Sequence, residues 1–196
     1  MNEDVPAPRD GGPFAWRFDE RLREVPLDKA AFATALDALV DQIAAAKSQP
    51  ARLLAMLGEA TPLLRIAGRL DEARRTASAA IALAELLEDA KAAYVNRIRL
   101  AHVMQWEGRF DLSNALFDQL TGQARCMPEL EGLAHTVLQH AGKNLFDQRR
   151  YREAARCFRE ALQLRRALGI DALMESSAEA LRVTQGRIAE TEAPSR

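Results

Sequence analysis

Apolar residues recur at spacings of three and four along most of this chain, as they do on one face of an α-helix. The stretch Ala154-Ala155-x-x-Phe158-x-x-Ala161-Leu162 shows the pattern clearly, because its apolar positions fall on one helical stripe. Alternation of apolar and polar residues, which is typical of β-strands, does not extend over any useful length. The pattern therefore predicts an all-α protein.

A six-residue pattern recurs three times, beginning at Gly68, Gly108 and Arg149. The offsets between the copies are 40 and 41 residues, and the similarity extends to both sides. Corresponding positions include Leu64, Met104 and Leu145 before the pattern, and Ala77, Phe117 and Phe158 after it. Three helical hairpins in one register explain this repetition.

The residue types have physical reasons at their places. Gly68 and Gly108 suit the positive φ that often ends a helix. The bulky residue two positions after each of these starts (Leu70, Phe110 and Tyr151) is expected to fill the seam between neighbouring hairpins. A single hairpin would leave an apolar face exposed, so we expect the hairpins to stack.

The repeated pattern resembles the tetratricopeptide repeat, which has a small pair before the turn, a bulky residue at it, and then Ala, an aromatic residue and Ala. The third copy matches it best, with Leu138-x-x-Ala141-Gly142-x-x-Leu145 followed by Tyr151-x-x-Ala154-x-x-x-Phe158-x-x-Ala161. The second copy departs from it at Arg97 and Ser113. The period exceeds the common period of about 34 residues and is similar to the long-helix repeats of kinesin light chains and bacterial peptide-sensing regulators.

This resemblance implies an α–α superhelix, a right-handed solenoid of antiparallel helical hairpins that ends in a C-terminal capping helix. The predicted segments are a disordered lead-in (1–13), a helical N-terminal segment (14–50), three repeats (54–87, 94–127 and 135–168), the capping helix (171–188) and a tail (189–196). Whether 14–50 completes a fourth, degenerate repeat stays open. A first helix through Phe14, Trp16 and Phe18 would complete it, but Pro26 disturbs the register.

Proline inside a helix removes a hydrogen bond and clashes with the preceding turn. Pro62 falls inside the first helix of the first repeat, four residues after Gly58. We therefore expect either a fresh helical start at Thr61 or a kink at this point.

The formal net charge is -1, from 27 Lys and Arg against 28 Asp and Glu, so no overall field favours nucleic acid or an anionic membrane. No apolar run is long enough to cross a bilayer, and the first residues lack the pattern of a secretory signal. We therefore expect a cytoplasmic protein. Cys126 and Cys157 are expected to be reduced and buried, as small hydrophobic side chains.

No pattern that carries catalytic chemistry occurs in the chain. A phosphate-binding Gly-rich loop, a nucleophile elbow and a His-Glu-x-x-His motif are all missing from the sequence. His135 and His140 are five residues apart, which places them on different faces of a helix, and His102 is distant in sequence. We therefore predict neither an enzyme nor a metal site or cofactor.

In the family, the first helix of each hairpin faces inward and carries the residues that bind a partner. The resemblance thus assigns partner binding to the concave-groove positions Arg65, Arg69, Val95, Ile98, Arg99, His102, Gln105, Gln139, His140, Lys143, Asn144 and Phe146. Arg65, Arg99 and Lys143 would make this groove mildly basic, so we expect it to bind a peptide that carries acidic groups.

The predicted function is that of a scaffold or adaptor that binds a protein or peptide. One alternative is a regulatory domain that responds to a small ligand or peptide, and another is homo-oligomerisation through the end helices. The family's clamp for chaperone C-termini is absent, because Gly58, Pro62 and Thr136 stand at clamp positions. Acidic residues lie among the Arg-rich stretches, so these predict a solvated surface and not an RNA-binding one.

Overall fold

The computed structural model describes residues 12–46 and 48–193, and α-helices account for most of them. The predicted all-α class is confirmed: α1 to α4 pack against one another in succession, as do α6 to α8. A 3₁₀ helix over Pro128–Leu133 precedes α6. The helices of the described residues are α1 (Lys29–Ala45), α2 (Pro50–Ile66), α3 (Leu70–Leu86), α4 (Ala90–Trp106), α5 (Phe110–Cys126), α6 (Ala134–Asp147), α7 (Tyr151–Ala167) and α8 (Asp171–Glu192).

The helix lengths explain the repeat period. Each of α2, α3, α4 and α5 has 17 residues, and three residues separate each from the next. Two such helices with their two turns account for the 40-residue offset. The helices α2 and α4 begin at Pro50 and Ala90, four residues before the predicted starts of the first two repeats.

The turns after α2, α3, α4, α6 and α7 share one hydrogen-bonding pattern. After α2, the amide of Gly68 donates to Arg65 O at 3.0 Å, and the amide of Arg69 donates to Leu64 O at 2.9 Å. This paired pattern is the Schellman motif, which needs a left-handed residue just after the helix. The predicted positive φ is confirmed at Gly68 and Gly108, and the same conformation ends three further helices at Glu88, Arg149 and Gly169.

The N-terminal segment departs from the expected helix. Residues 16–26 form an antiparallel hairpin of two short strands, β1 (Trp16–Phe18) and β2 (Glu24–Pro26). Asp19 Oδ1 accepts hydrogen bonds from the amides of Arg21 and Arg23, at 2.8 and 2.9 Å, and so stabilises the turn. The prediction of helix over 14–50 is therefore wrong before α1, and no helix runs through Phe14, Trp16 and Phe18.

The second helix continues through its internal proline. Helix α2 runs unbroken from Pro50 to Ile66, so the fresh helical start considered at Thr61 does not occur. Thr61 Oγ1 instead donates to the carbonyl oxygen of Leu57 at 2.9 Å, inside the same helix. Pro62 stands four residues after Gly58, so the helix lacks the hydrogen bond between these two residues.

The chain divides into two compact units, one extending to Leu112 and the other beginning at Ser113. In the first unit, Trp16 of the hairpin joins Phe32 and Leu36 of α1 in a core with residues of α2. In the second unit, a Cβ on Gly142 would lie 2.6 Å from Phe158 Cε1, so α6 and α7 approach closely at this glycine.

The last helix has one buried face. Its buried residues are Leu173, Ser177, Ala180 and Thr184, at helical spacing. An intrahelical ion pair joins Glu179 to Arg182, at 2.6 Å. The helix begins at the predicted residue, but it extends to Glu192, so the predicted tail over 189–196 is wrong for its first four residues. Residues 194–196 and residues 1–11 of the predicted lead-in lie outside the described residues.

Candidate functional site

Most of the residues assigned to a concave groove have little exposed surface. Arg69 and Arg99 are half-buried. The other ten are buried: Arg65, Val95, Ile98, His102, Gln105, Gln139, His140, Lys143, Asn144 and Phe146. Their role in binding a partner stays a prediction.

Arg65 is bound by an acidic residue of its own chain. Its Nη1 lies 2.8 Å from Oε2 of Glu24, which belongs to β2, and both side chains are almost completely buried. The guanidinium carbon is 4.6 Å from the ring centroid of Trp106, and that of Arg23 is 4.9 Å from the same centroid. Arg65 was predicted to attract an acidic partner, but its guanidinium is already paired with a carboxylate of the N-terminal hairpin.

The two half-buried arginines also have partners within the first unit. Arg69 donates to Asp37 and, through two nitrogens, to Glu72 at 2.6 and 2.7 Å. The hydrogen bond from Arg69 lowers the pKa of Glu72. Arg99 Nη1 donates to Asn96 Oδ1 at 2.9 Å and lies where a Cβ on Gly58 would clash.

A cavity of about 340 Å³ lies within the first unit, beside the hairpin. Trp106 forms part of its wall, and the indole Nε1 has no hydrogen-bond acceptor among the described residues. The lining residues come from the hairpin (Asp19, Arg23, Glu24, Val25 and Pro26), from α1 (Lys29, Phe32 and Ala33), from the end of α2 (Ile66, Ala67 and Gly68) and from α4 (Trp106). The register of the repeats did not indicate this site, because eight of its twelve lining residues belong to the unpredicted hairpin and to α1.

In the second unit a buried arginine joins α6, α7 and α8. Arg165 of α7 donates from Nη1 to the carbonyl oxygen of Leu173 at 2.8 Å and to Ser177 Oγ at 2.6 Å. The hydroxyl of Ser177 in turn donates to Gln139 Oε1 at 2.6 Å. Arg165 Nε also donates to Nδ1 of His135, at 3.3 Å. Gln139, predicted as a groove residue, therefore supports the packing of three helices.

Asn144, another predicted groove residue, belongs to a polar cluster between α5 and α6. Its Oδ1 accepts from the hydroxyl of Ser113 at 2.7 Å, and its Nδ2 donates to Asn114 Oδ1 at 2.6 Å. Gln148 Nε2 donates to the same oxygen of Asn114 at 2.9 Å. The serine that departs from the repeat pattern at position 113 thus has a partner, where the usual alanine would have none.

An open groove of about 510 Å³ lies between α5 and α7, and α6 also contributes to its lining. Phe117, Leu138 and Ala141 form a buried apolar floor. The rim carries acidic and basic side chains in equal number: Arg125, Arg150 and Arg156, with Asp118, Glu153 and Glu160. Because all three helices contribute, no spacing within one helix indicated this groove.

Most of the rim charges are paired on the surface. Arg125 lies 3.2 Å from Glu160, and Arg150 lies 2.7 Å from Glu153. The hydrogen bond from Arg150 lowers the pKa of Glu153. Exposed pairs of this kind contribute only about 0–1 kcal/mol each, so their side chains can be rearranged around a bound partner at low cost.

The cysteines differ in their surroundings. Cys157 lines the groove and is partly buried, and burial raises the pKa of its thiol to about 11. A thiol with this pKa stays protonated at neutral pH, so it is a poor nucleophile. Cys126 is exposed, contrary to the expected burial.

Within residues 12–46 and 48–193, no group of three or more His, Cys, Asp or Glu side chains is placed to bind a metal ion. No helix in the same ranges is long and apolar enough to span a membrane. Comparison with protein-family models gives no matching family, and comparison with curated proteins gives no significant match.

Proposed function

We propose that this protein is a helical-repeat adaptor that binds a partner polypeptide in the groove between α5 and α7. The observation that carries the proposal is the groove itself, because it combines a buried apolar floor with a charged, accessible rim. Apolar surface surrounded by polar residues is typical of protein-binding sites. The resemblance to tetratricopeptide repeats, a family of protein-binding arrays, supports the same function.

The shape of the groove favours a helix as the bound element. The flanking helices α5 and α7 have 17 residues each, which corresponds to about 25 Å of length. A helix can lie between two others with its side chains in their surface grooves. Recognition by strand addition would need an exposed sheet edge, and no strand contributes to the lining of this groove.

The rim charges indicate what the partner helix carries. Three basic and three acidic side chains surround the floor, so the rim has no net charge. We therefore expect an amphipathic helix with an apolar stripe and charges of both signs beside it. This differs from the acidic peptide expected for the concave groove, where Arg65 and Lys143 are buried.

Two glycines allow a matched test. Gly122 lines the groove and Gly186 lies on α8 outside it, and a Cβ on either residue would meet no atom within 4 Å. Gly122→Arg places a long charged side chain at the groove, whereas Gly186→Arg adds the same side chain elsewhere. Affinity capture from native lysate should retain one protein with the parent and with Gly186→Arg, and lose it with Gly122→Arg.

Two outcomes would contradict the proposal. If all three forms retain the protein equally, the binding surface lies elsewhere. If the parent retains no specific protein, the adaptor function is wrong. Sedimentation velocity at several concentrations separates a third case: if the parent self-associates and Gly122→Arg does not, the groove binds a second copy of this chain.

A further inference from the structure

One exposed face of α7 carries a line of arginines. Positions 152, 156, 159, 163 and 166 follow one another at spacings of four and three residues, so they fall within an arc of about 80° on the helix. All five side chains are exposed, and they extend over about 21 Å along the helix axis. We call this set the arginine stripe: Arg152, Arg156, Arg159, Gln163 and Arg166.

The glutamates of the same helix lie beside the stripe and not on it. Glu153 and Glu160 are partly buried and line the α5–α7 groove. Each is bound by an arginine outside the stripe, Glu153 by Arg150 at 2.7 Å and Glu160 by Arg125 at 3.2 Å. Arg156 is farther from Glu153, at 3.9 Å. The sequence indicated a stretch of mixed charge, but the fold separates the two signs, and the stripe itself carries no acidic residue.

The arginines of the stripe are weakly compensated by their own chain. The guanidinium groups of Arg159 and Arg166 form no ion pair or hydrogen bond with any described residue. Arg152 lies 2.6 Å from Glu192 of α8, and both side chains are exposed. Because exposed ion pairs of this kind contribute little to stability, these guanidinium groups can bind an anionic partner instead.

Carboxylates border the stripe and limit the width of a partner. Glu153 and Glu160 lie towards the groove, and Glu192 comes from α8. A DNA duplex or an anionic membrane presents negative charge over a broad surface and would bring that charge against these carboxylates. An α-helix is about 10–12 Å across, so it can follow the stripe without covering them.

The stripe has no aromatic side chain on which a nucleic-acid base could stack. The aromatic residues of α7 are Tyr151 and Phe158. Phe158 is buried, and Tyr151 is partly buried, with its ring centroid 5.1 Å from that of Phe146. Proteins that bind single-stranded nucleic acid combine basic side chains with aromatic platforms. The stripe therefore offers a partner a pattern of charge alone.

From these features we propose that the arginine stripe binds an acidic helix of a partner protein. Aspartates or glutamates at alternating spacings of four and three would line one face of that helix, opposite the guanidinium groups of α7. The lining of the α5–α7 groove includes Arg156 but not Arg152, Arg159 or Arg166. The stripe is thus a second docking surface, which selects its partner by charge and stands or fails independently of the groove.

A striped peptide is a suitable probe: an alanine-based chain of about 22 residues, long enough to form a helix, with glutamates at alternating spacings of four and three. A second peptide of the same composition has its glutamates distributed around the helix. Binding is followed by ¹H–¹⁵N correlation spectra at about 0.01 M ionic strength, where the screening length is about 30 Å. We expect saturable shifts of α7 signals with the striped peptide, at a dissociation constant of about 0.1–1 mM. The second peptide should bind about fivefold more weakly, and binding should weaken at about 0.15 M ionic strength.

Charge-matched variants locate the binding surface. Arg159→Gln with Arg166→Gln removes two charges of the stripe and should weaken binding of the striped peptide about tenfold. Arg75→Gln with Lys91→Gln removes two charges from exposed positions on α3 and α4, and should leave binding unchanged. Arg159→Glu with Arg166→Glu should reverse the preference, so that a peptide with lysines in place of the glutamates binds instead.

Gly122→Phe separates the stripe from the groove, because it fills the groove without changing the charge. This variant should bind the striped peptide like the parent. Loss of binding with Gly122→Phe would place the peptide in the groove and overturn the proposal. The proposal is also overturned if the striped peptide causes no saturable shift or if both peptides bind equally. Tighter binding of the parent to a short DNA duplex, or to vesicles of phosphatidylserine and phosphatidylcholine, would show that the class of partner is wrong.

Discussion

Two buried arginines, one in each unit, are stabilised in different ways. Arg65 lies against the carboxylate of Glu24, a residue 41 positions earlier in the chain. Arg165 donates instead to uncharged acceptors, among them the carbonyl oxygen of Leu173 and the hydroxyl of Ser177. The first arrangement depends on the N-terminal hairpin, whereas the second depends on the packing of neighbouring helices.

An arginine at a predicted binding position can therefore be committed to the fold. Arg65 occupies a place that the repeat register assigns to partner recognition, but its charge is used within the fold. The arginines of the α5–α7 rim are exposed or half-exposed, and their ion pairs add little to stability. Substitutions should therefore separate the two kinds: buried arginines should affect folding, and rim arginines should affect binding.

The largest effect is expected at Arg65. Arg65→Met leaves the buried carboxylate of Glu24 without this cation, so we expect the free energy of unfolding to fall by about 3–5 kcal/mol. Urea denaturation measures the change. Adding Glu24→Gln should recover part of the loss, because it removes the buried charge.

Arg97→Met is the control for this prediction. Arg97 pairs with Glu85 in a half-exposed ion pair, and its loss should cost about 0–1 kcal/mol. Equal losses for Arg65→Met and Arg97→Met would show that the buried pair is not important for stability.

A smaller effect is expected at Arg165. Arg165→Met keeps much of the apolar stem and leaves uncharged acceptors without their donor, which costs about 1–3 kcal/mol. Ser177→Ala removes one of these acceptors and should cost about 1 kcal/mol. If Arg165→Met destabilised the protein as much as Arg65→Met does, the contrast between a charged and an uncharged partner would be wrong.

A third arginine should cost stability through its backbone. Arg149 follows the end of α6 and has φ = 60°. The corresponding residue after α4 is Gly108, with φ = 74°. Arg149→Gly should raise the free energy of unfolding by about 1 kcal/mol, and Gly108→Ala should lower it by a similar amount. Thermal unfolding of both variants tests this, and a destabilised Arg149→Gly would contradict it.

The smallest effect on stability is expected at the rim of the groove. Arg125→Gln breaks an exposed ion pair with Glu160 and should change the free energy of unfolding by less than about 1 kcal/mol. The same substitution should weaken capture of the partner, because this side chain lies on the docking surface. A stable variant that binds like the parent would exclude Arg125 from that surface.

The parts of the fold that were predictable depend on local signals. Helical periodicity and the 40-residue offset indicated the helices, and Gly68 and Gly108 indicated their ends because glycine adopts positive φ without strain. Arg149 is not a glycine, so only its alignment with Gly108 in the repeat indicated the same turn at this position. The hairpin gave no signal of this kind, since its strands have three residues each and alternation cannot be recognised over so short a run.

The candidate sites were less predictable than the helices. Burial of Arg65 depends on Glu24, and no spacing within α2 indicates a partner in a hairpin that precedes α1. The α5–α7 groove and the cavity beside the hairpin combine residues of several elements. Alignment to a repeat pattern indicates which residues stand at equivalent positions. Whether those side chains are exposed to a partner depends on the packing of the whole unit.

Site-specific photocrosslinking tests the proposed docking surface most directly. A photoreactive amino acid at Thr121, which lines the α5–α7 groove, is compared with one at Gln185, which is exposed on α8. The adaptor proposal predicts that position 121 crosslinks to one partner protein, through a segment that forms an amphipathic helix, and that position 185 does not. Crosslinking of the same partner from both positions, or from position 185 alone, would contradict it.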